Sequence, residues 1–371
     1  MTDELSERLL ARVMGWAPDR HTRERVHLQI LANCKYDSYE QYRPGAKFIT
    51  SLALWLRTFT SQVERESAYQ FILSRLIFIS NREMGHLVVT SYPYHIRPYI
   101  IRRVASSTGR ALYPTQQIAS SDEFSKARRR CLYLGLSDGA RSDSFRRGNS
   151  REIGNEQIVA TYQISEQKAK GLLKDLRKSL HEPEDKETSS RFDTIVFLDD
   201  FNGSGTTLYR LDEGKPDGKL PRIIADLIDP TKPLGAIVDQ ANLLVLFVYY
   251  VSTEEALVNA RAAIASLQKP TWMTIHIEAV QPIPRAAKVE RPRDDAMCGI
   301  VEHPSYYDEE ASKDEHLRKG GVDHARYGFA GSSLPLILGH NTPNNSIFLL
   351  WSTDDYAIQG LFPRVPRHRP E

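Results

Sequence analysis

Between Ile195 and Leu208 the chain reads IVFLDDFNGSGTTL: four apolar residues, two adjacent acids, then a turn rich in Gly, Ser and Thr. No other feature limits the fold as much. A short run of β-branched and apolar residues predicts a strand buried on both faces. Such strands belong to parallel sheets covered by helices. In open sheets of this kind, ligands bind just beyond the carboxyl ends of the strands. The acids and the turn fall at that end.

Neighbouring segments repeat the pattern. Cys131 to Leu134 is a short apolar run that ends in GLSDG, and Asn242 to Val251 and Trp272 to Ala279 read as two further strands. Helical patterning lies between them, at Glu156 to Leu180 and Glu254 to Leu267. Strands alternating with helices predict an α/β fold with a mostly parallel sheet flanked by helices. The first 125 residues differ. Phe48, Leu52, Trp55, Leu56 and Phe59 recur at helical spacing, a second helix is expected from Val63 to Ile79, and a third from Tyr99 to Ser106. The expected division is therefore a helical N-terminal region, 1–125, and an α/β domain, 126–371. Loops are expected at 181–190, Asp212 to Arg222 and Pro282 to Asp295. An apolar segment, Leu334 to Leu338, an HNTPNN turn and a last strand from Ile347 to Trp351 would complete the chain.

Composition excludes several classes. Of 371 residues, 41% are hydrophobic and 26% charged, as in globular proteins. The longest apolar run, Leu243 to Val251, is about half of what a spanning helix needs. The first ten residues, MTDELSERLL, lack an apolar signal core. Cys34, Cys131 and Cys298 form no metal or redox spacing and read as structural thiols. A cytoplasmic protein without a membrane partner is expected. Net charge is only +2, but Arg97 to Arg151 holds twelve Lys/Arg against four Asp/Glu. That stretch is either a phosphate-facing surface or a solvated helical face.

The chemistry of the turn follows from its residue types. Gly203 and Gly205 let the backbone approach an anion and adopt positive φ. Successive amides there would form an anion nest. Ser204, Thr206 and Thr207 add hydroxyl donors, and a helix starting after Thr207 would add its dipole. Asp199 and Asp200 would repel a phosphate unless they served another group, such as ribose hydroxyls, directly or through Mg²⁺. A P-loop needs a Lys that is missing, and a dinucleotide fingerprint needs a third Gly.

This order of residues resembles the 5-phosphoribosyl-1-pyrophosphate motif of type I phosphoribosyltransferases. The resemblance runs over Ile195–Leu198, Asp199 and Asp200, then Ser204, Gly205 and Thr207. It implies that 203–207 cradle a 5′-phosphate and that the two acids hold the ribose hydroxyls. Thr206 departs from the family pattern, where many members have a second Gly. A pyrophosphate loop is then expected on an earlier strand, and LYLGLSDGAR at 132–141 is the candidate. Gly135, Ser137 and Gly139 would bind pyrophosphate and Arg141 would neutralise it, with Arg146 and Arg147 nearby. A plain Asp-Gly turn is the alternative.

The same segments, with GHNTPNNSIFLLW and LFPR near the C-terminus, resemble phosphoribosyltransferase-like effectors of bacterial conflict systems of the retron type. That resemblance implies an antiviral toxin restrained by partners, including a reverse transcriptase and nucleic acid. Type I enzymes complete the base site with a variable hood. Asn344 and Asn345, with His340 and Asn341, would offer base-edge contacts, or would simply form a turn. The leading expectation is an enzyme acting at ribose C1 of a phosphoribosyl pyrophosphate or nucleotide ligand. The rival is a catalytically inactive nucleotide-sensing or nucleic-acid-binding module of a defence complex. An enzyme held in check by a nucleic-acid partner would combine the two.

Overall fold

The computed structural model describes residues 2–113, 115–182, 190–313, 317, 319–353 and 356–365. They divide into two compact units: residues 1–84 with 284–371, and residues 85–283. Among the described residues the strands, in chain order, are β1 (Ile77–Ile79), β2 (Cys131–Gly135), β3 (Ile158–Val159), β4 (Thr194–Asn202), β5 (Arg210–Asp212), β6 (Lys215–Asp217), β7 (Leu243–Thr253), β8 (Met273–Ile283) and β9 (Leu336–Leu338).

The unit of residues 85–283 is built on a five-stranded sheet in the order β3-β2-β4-β7-β8. Every pairing in it is parallel. All eleven residues of β7 are buried, which is why that segment shows no polar alternation. The edge strand β8 alternates buried and exposed positions over most of its length. Ile195, Phe197, Val245 and Phe247 form one face of the core. Leu172 and Leu176 of helix Glu166–Ser179, Ile223 and Leu227 of helix Lys219–Ile228, and Leu257 of helix Glu254–Ser266 pack with them. Burying such side chains contributes roughly 1.5–3 kcal/mol each.

The helix Arg97–Thr108 also belongs to this unit. Arg103 donates to the Asp193 carbonyl at 3.0 Å and to the Asn242 carbonyl, at the starts of β4 and β7. Helical patterning therefore does not mark the division expected at 125/126. The compact units divide at 84/85 and 283/284, and one of them joins both ends of the chain. In that unit Phe48, Leu52, Trp55, Leu56 and Phe59 pack with Ile347, Leu349 and Phe362. Trp55 Nε1 donates to the Leu349 carbonyl at 2.8 Å. β1 and β9 pair in parallel there.

Several expected elements differ. The helix expected to run to Ile79 ends at Arg75, because Leu76 turns extended and Ile77–Ile79 pairs with β9. Helix Glu166–Ser179 begins ten residues later than its expected start, where Ser165 accepts the Lys168 amide as cap. Ile347 to Trp351 is not a strand: Phe348–Trp351 is a short helix, and its apolar residues are buried all round. A run without alternation suits either state. No helix begins at Thr207. A hairpin, β5–β6, intervenes, with Glu213 (φ 48°) and Gly214 (φ 78°) in the left-handed region that two-residue hairpin turns demand. Residues 183–189 of the expected loop at 181–190 lie outside the described residues.

Candidate functional site

Strand register builds the site. Gly135, the last residue of β2, pairs with Leu198 of β4. The segment after β2 therefore emerges beside Asp199 and Asp200. Successive residues of a strand point to opposite faces, so the two carboxylates straddle the strand. One turn, 136–140, reaches both. Leu136 N donates to the Leu198 carbonyl at 2.8 Å. Ser137 Oγ donates to Asp199 Oδ1 in a short hydrogen bond, and Gly139 N donates to Ser137 Oγ at 3.1 Å. A Cβ on Gly139 would sit 2.5 Å from the Asp200 carboxylate. Gly139 thus leaves room for an acid, and Gly135 leaves room for the Ala160 carbonyl, which a Cβ would meet at 2.0 Å. Arg141 ends the turn at φ 48°, an uncommon backbone for a residue with a side chain.

Asp199 is 7% exposed. Burial, helped by the charge of Asp200, pushes its carboxyl up to about 7, against the opposing effects of the Ser137 hydrogen bond and Lys219. A carboxyl in that range exchanges protons at neutral pH. Tyr250 lies next to the pair in the sheet, and its hydroxyl donates to the Ala140 carbonyl at 2.7 Å, bracing the turn from β7. Burial, and then the two acids, hold this phenol neutral.

The Gly-rich turn follows directly. Of its two glycines, Gly205 takes a positive φ, 83°, and its Cβ position lies 3.3 Å from the Ala256 carbonyl. Leu208 N and Tyr209 N both donate to the Gly205 carbonyl, at 3.0 and 2.9 Å, closing the turn. Ser204 Oγ and Thr206 Oγ1 are hydrogen-bonded at 2.8 Å, so Thr206 replaces backbone room with a hydroxyl contact. The amides of Gly205 and Thr207 make no hydrogen bond among the described residues. Thr253 Oγ1 donates to the Gly203 carbonyl at 2.6 Å while also accepting the Ala256 amide as a helix cap. Asn259 Nδ2 reaches the Ser204 carbonyl at 3.4 Å.

Lys219 escaped the sequence reading. It opens the helix Lys219–Ile228, and its Nζ donates to the Leu136 carbonyl at 2.8 Å and lies 3.9 Å from Asp199 Oδ2. Thr253, Tyr250 and Asn259 were missed for the same reason: each acts across many residues of chain, and no local motif marks it.

Asn344 and Asn345 belong to the other unit. Asn345 is buried there, and its Nδ2 donates to Ser332 Oγ at 2.9 Å. The Asn344 carbonyl accepts Phe329 N at 2.7 Å. At least six of the twelve basic residues of the 97–151 stretch form ion pairs within their own unit. Arg128 pairs with Glu152, Arg129 with Glu156 at 2.7 Å, and Arg146 and Arg147 with Asp143 at 2.7 and 2.8 Å. Cys131 and Cys298 are buried and Cys34 is exposed. Among the described residues, no three His, Cys, Asp or Glu converge as a metal cage, and no helix is long and apolar enough to cross a membrane.

A parallel sheet with paired acids at one strand end, a Gly/hydroxyl turn after them and a second turn closing on both acids defines a phosphoribosyltransferase-like domain. The PRTase-CE family model matches residues 52–364, and the chain belongs to this phosphoribosyltransferase-like family. No curated protein and no solved structure matches the chain significantly.

Proposed function

We propose that the chain binds a phosphoribosyl ligand, 5-phosphoribosyl-1-pyrophosphate or a nucleotide, and acts at ribose C1. The observation that supports this reading is the turn at 136–140, which touches both members of the acid pair. In this reading Gly203, Ser204, Gly205, Thr206 and Thr207 hold the 5′-phosphate. The turn and Arg141 take the pyrophosphate, and Asp199 and Asp200 meet the ribose hydroxyls between them. Two carboxylates fit Mg²⁺ when the ligand supplies the other oxygens, since this ion keeps waters and takes substrate phosphates. Asp199 and Asp200 would hold it, and it would neutralise the pyrophosphate as that group leaves.

For transfer, the bond from C1 to the pyrophosphate oxygen breaks with its electron pair leaving on oxygen. A bond from C1 to the acceptor nitrogen forms, and the acceptor's proton passes to one carboxylate of the pair while the other keeps the ion. Burial makes Asp199 easier to protonate than an ordinary carboxylate, which suits it to the proton and Asp200 to the ion. Positive charge develops on the ribose ring in between, and the acid pair opposes it. In the cell this activity would serve a cytoplasmic antiviral effector, restrained by a reverse transcriptase and its nucleic acid. Of the rival readings, a nucleic-acid-binding module loses support from the ion pairs within the basic stretch, while a nucleotide sensor would bind at the same turns without turnover.

The test is a matched metabolite profile. Cells express wild type or Asp199→Ala/Asp200→Ala at equal soluble levels, and nucleotides are quantified by mass spectrometry. The expected result is a change in phosphoribosyl pyrophosphate or one nucleotide pool with wild type alone. Equal profiles with equal toxicity would overturn the catalytic reading.

A further inference from the structure

The start of helix Lys219–Ile228 is stitched to the Gly-rich turn. Lys219 N donates to the Thr207 carbonyl at 3.1 Å, and Leu220 N to the Leu208 carbonyl at 2.9 Å. Gly218 makes the approach possible. It sits at φ 116°, and a Cβ there would lie 2.6 Å from the Leu208 carbonyl. The Lys219 backbone thus belongs to the 5′-phosphate turn, while its side chain crosses to the other turn and meets Leu136, where 136–140 begins.

The ammonium has donors to spare. It carries three N–H groups. The Leu136 carbonyl takes one at 2.8 Å, and Asp199 Oδ2, at 3.9 Å, is beyond hydrogen-bond distance. The side chain is 24% exposed, so solvent and ligands reach it. Arg210 is the contrasting case. It approaches the Thr206 carbonyl at 3.5 Å, but Asp217, which also takes Arg222 at 2.7 Å, closely pairs it.

We propose that Lys219 is the cation that reads the pyrophosphate end of the ligand, and so a specificity-determining residue of the site. The assignment rests on the phosphoribosyl reading above. A ligand with only a 5′-phosphate is served by the turn at 203–207 and gains little from this ammonium. A ligand that also carries pyrophosphate at C1 brings that group to 136–141, where the ammonium lies.

Calorimetry on the full-length protein separates these cases with three probes: 5-phosphoribosyl-1-pyrophosphate, ribose 5-phosphate and inorganic pyrophosphate. Circular dichroism confirms the fold of each variant. Lys219→Met is expected to weaken both pyrophosphate-bearing probes roughly tenfold or more, the scale of one charged hydrogen bond. Ribose 5-phosphate should hold its affinity within about twofold, and Lys219→Arg should restore most of the loss. Equal weakening of phosphoribosyl pyrophosphate and ribose 5-phosphate would reduce Lys219 to a support of the turns and overturn the proposal. Unchanged affinities would overturn it too. Wild type that binds inorganic pyrophosphate through Lys219, but neither ribose ligand, would sink the phosphoribosyl reading and leave the pyrophosphate assignment standing. Wild type that binds none of the three would end both.

Discussion

Two residues of the site make direct predictions. A Cβ on Gly139 would lie 2.5 Å from the Asp200 carboxylate, so the carboxylate or the turn must shift to admit a side chain. Gly139→Ala is expected to shift the turn off the acid pair and weaken phosphoribosyl pyrophosphate binding at least tenfold. Unfolding free energy should fall by an amount typical of overpacking, about 1–3 kcal/mol. Asp199 gives a pH signature. Its folded carboxyl titrates near 7, above its unfolded value, so the folded state binds more protons between those two values. Its contribution is therefore fully present in acid and is lost as pH rises through 7. Asp199→Asn, which cannot ionise, should be more stable than wild type at pH 8, by about 2 °C or more, and gain little at pH 4. Thermal melts across that range check it. A gain at pH 4 equal to that at pH 8 would show that the carboxylate is not held in its neutral form by the site.

At the scale of elements, Thr253 joins the start of helix Glu254–Ser266 to the Gly-rich turn. Its hydroxyl caps helix Glu254–Ser266 and holds the Gly203 carbonyl. Thr253→Val keeps the shape and removes both contacts. A loss of about 1 kcal/mol is expected from the cap alone, with faster amide exchange at 203–208 by mass spectrometry. Protected amides there would show that the turn holds its own shape. The turn itself was legible in the sequence because its chemistry is local: a strand, two acids and glycines in one run of fourteen residues. What followed it was not. The charge of Asp212 to Arg222 reads as a loop, yet Glu213 and Gly214 make a tight hairpin turn and Gly218 lets a helix begin at once. Lys219 meets Leu136 across 83 residues of chain, a contact that only the register of β2 and β4 creates.

For the whole molecule, four of the sheet's five strands were readable from apolar runs and their spacing; the fifth, Ile158–Val159, lies inside the segment Glu156 to Leu180 that reads as helix. The division into units was not, because it depends on which distant segments share a core. Phe48 and Phe362 stack at 5.8 Å from opposite ends of the chain, and no composition shift announces it. The basic stretch shows the same limit: its acidic partners Glu152 and Glu156 lie just beyond it in sequence, so counting charges inside it overstates the surface charge. Binding of phosphoribosyl pyrophosphate should therefore weaken less than tenfold between 50 and 200 mM salt, where a polymer held by six to ten phosphates loses about a thousandfold or more. A steep salt slope with single-stranded nucleic acid would favour the module reading instead. The most direct test is calorimetry of the full-length protein with 5-phosphoribosyl-1-pyrophosphate and Mg²⁺, wild type against Asp199→Asn/Asp200→Asn. The expected result is saturable binding by wild type and a loss of at least tenfold in the variant, with an unchanged circular dichroism spectrum. Equal binding by both, or none by a folded wild type, would contradict the account of the acid pair as the ribose site.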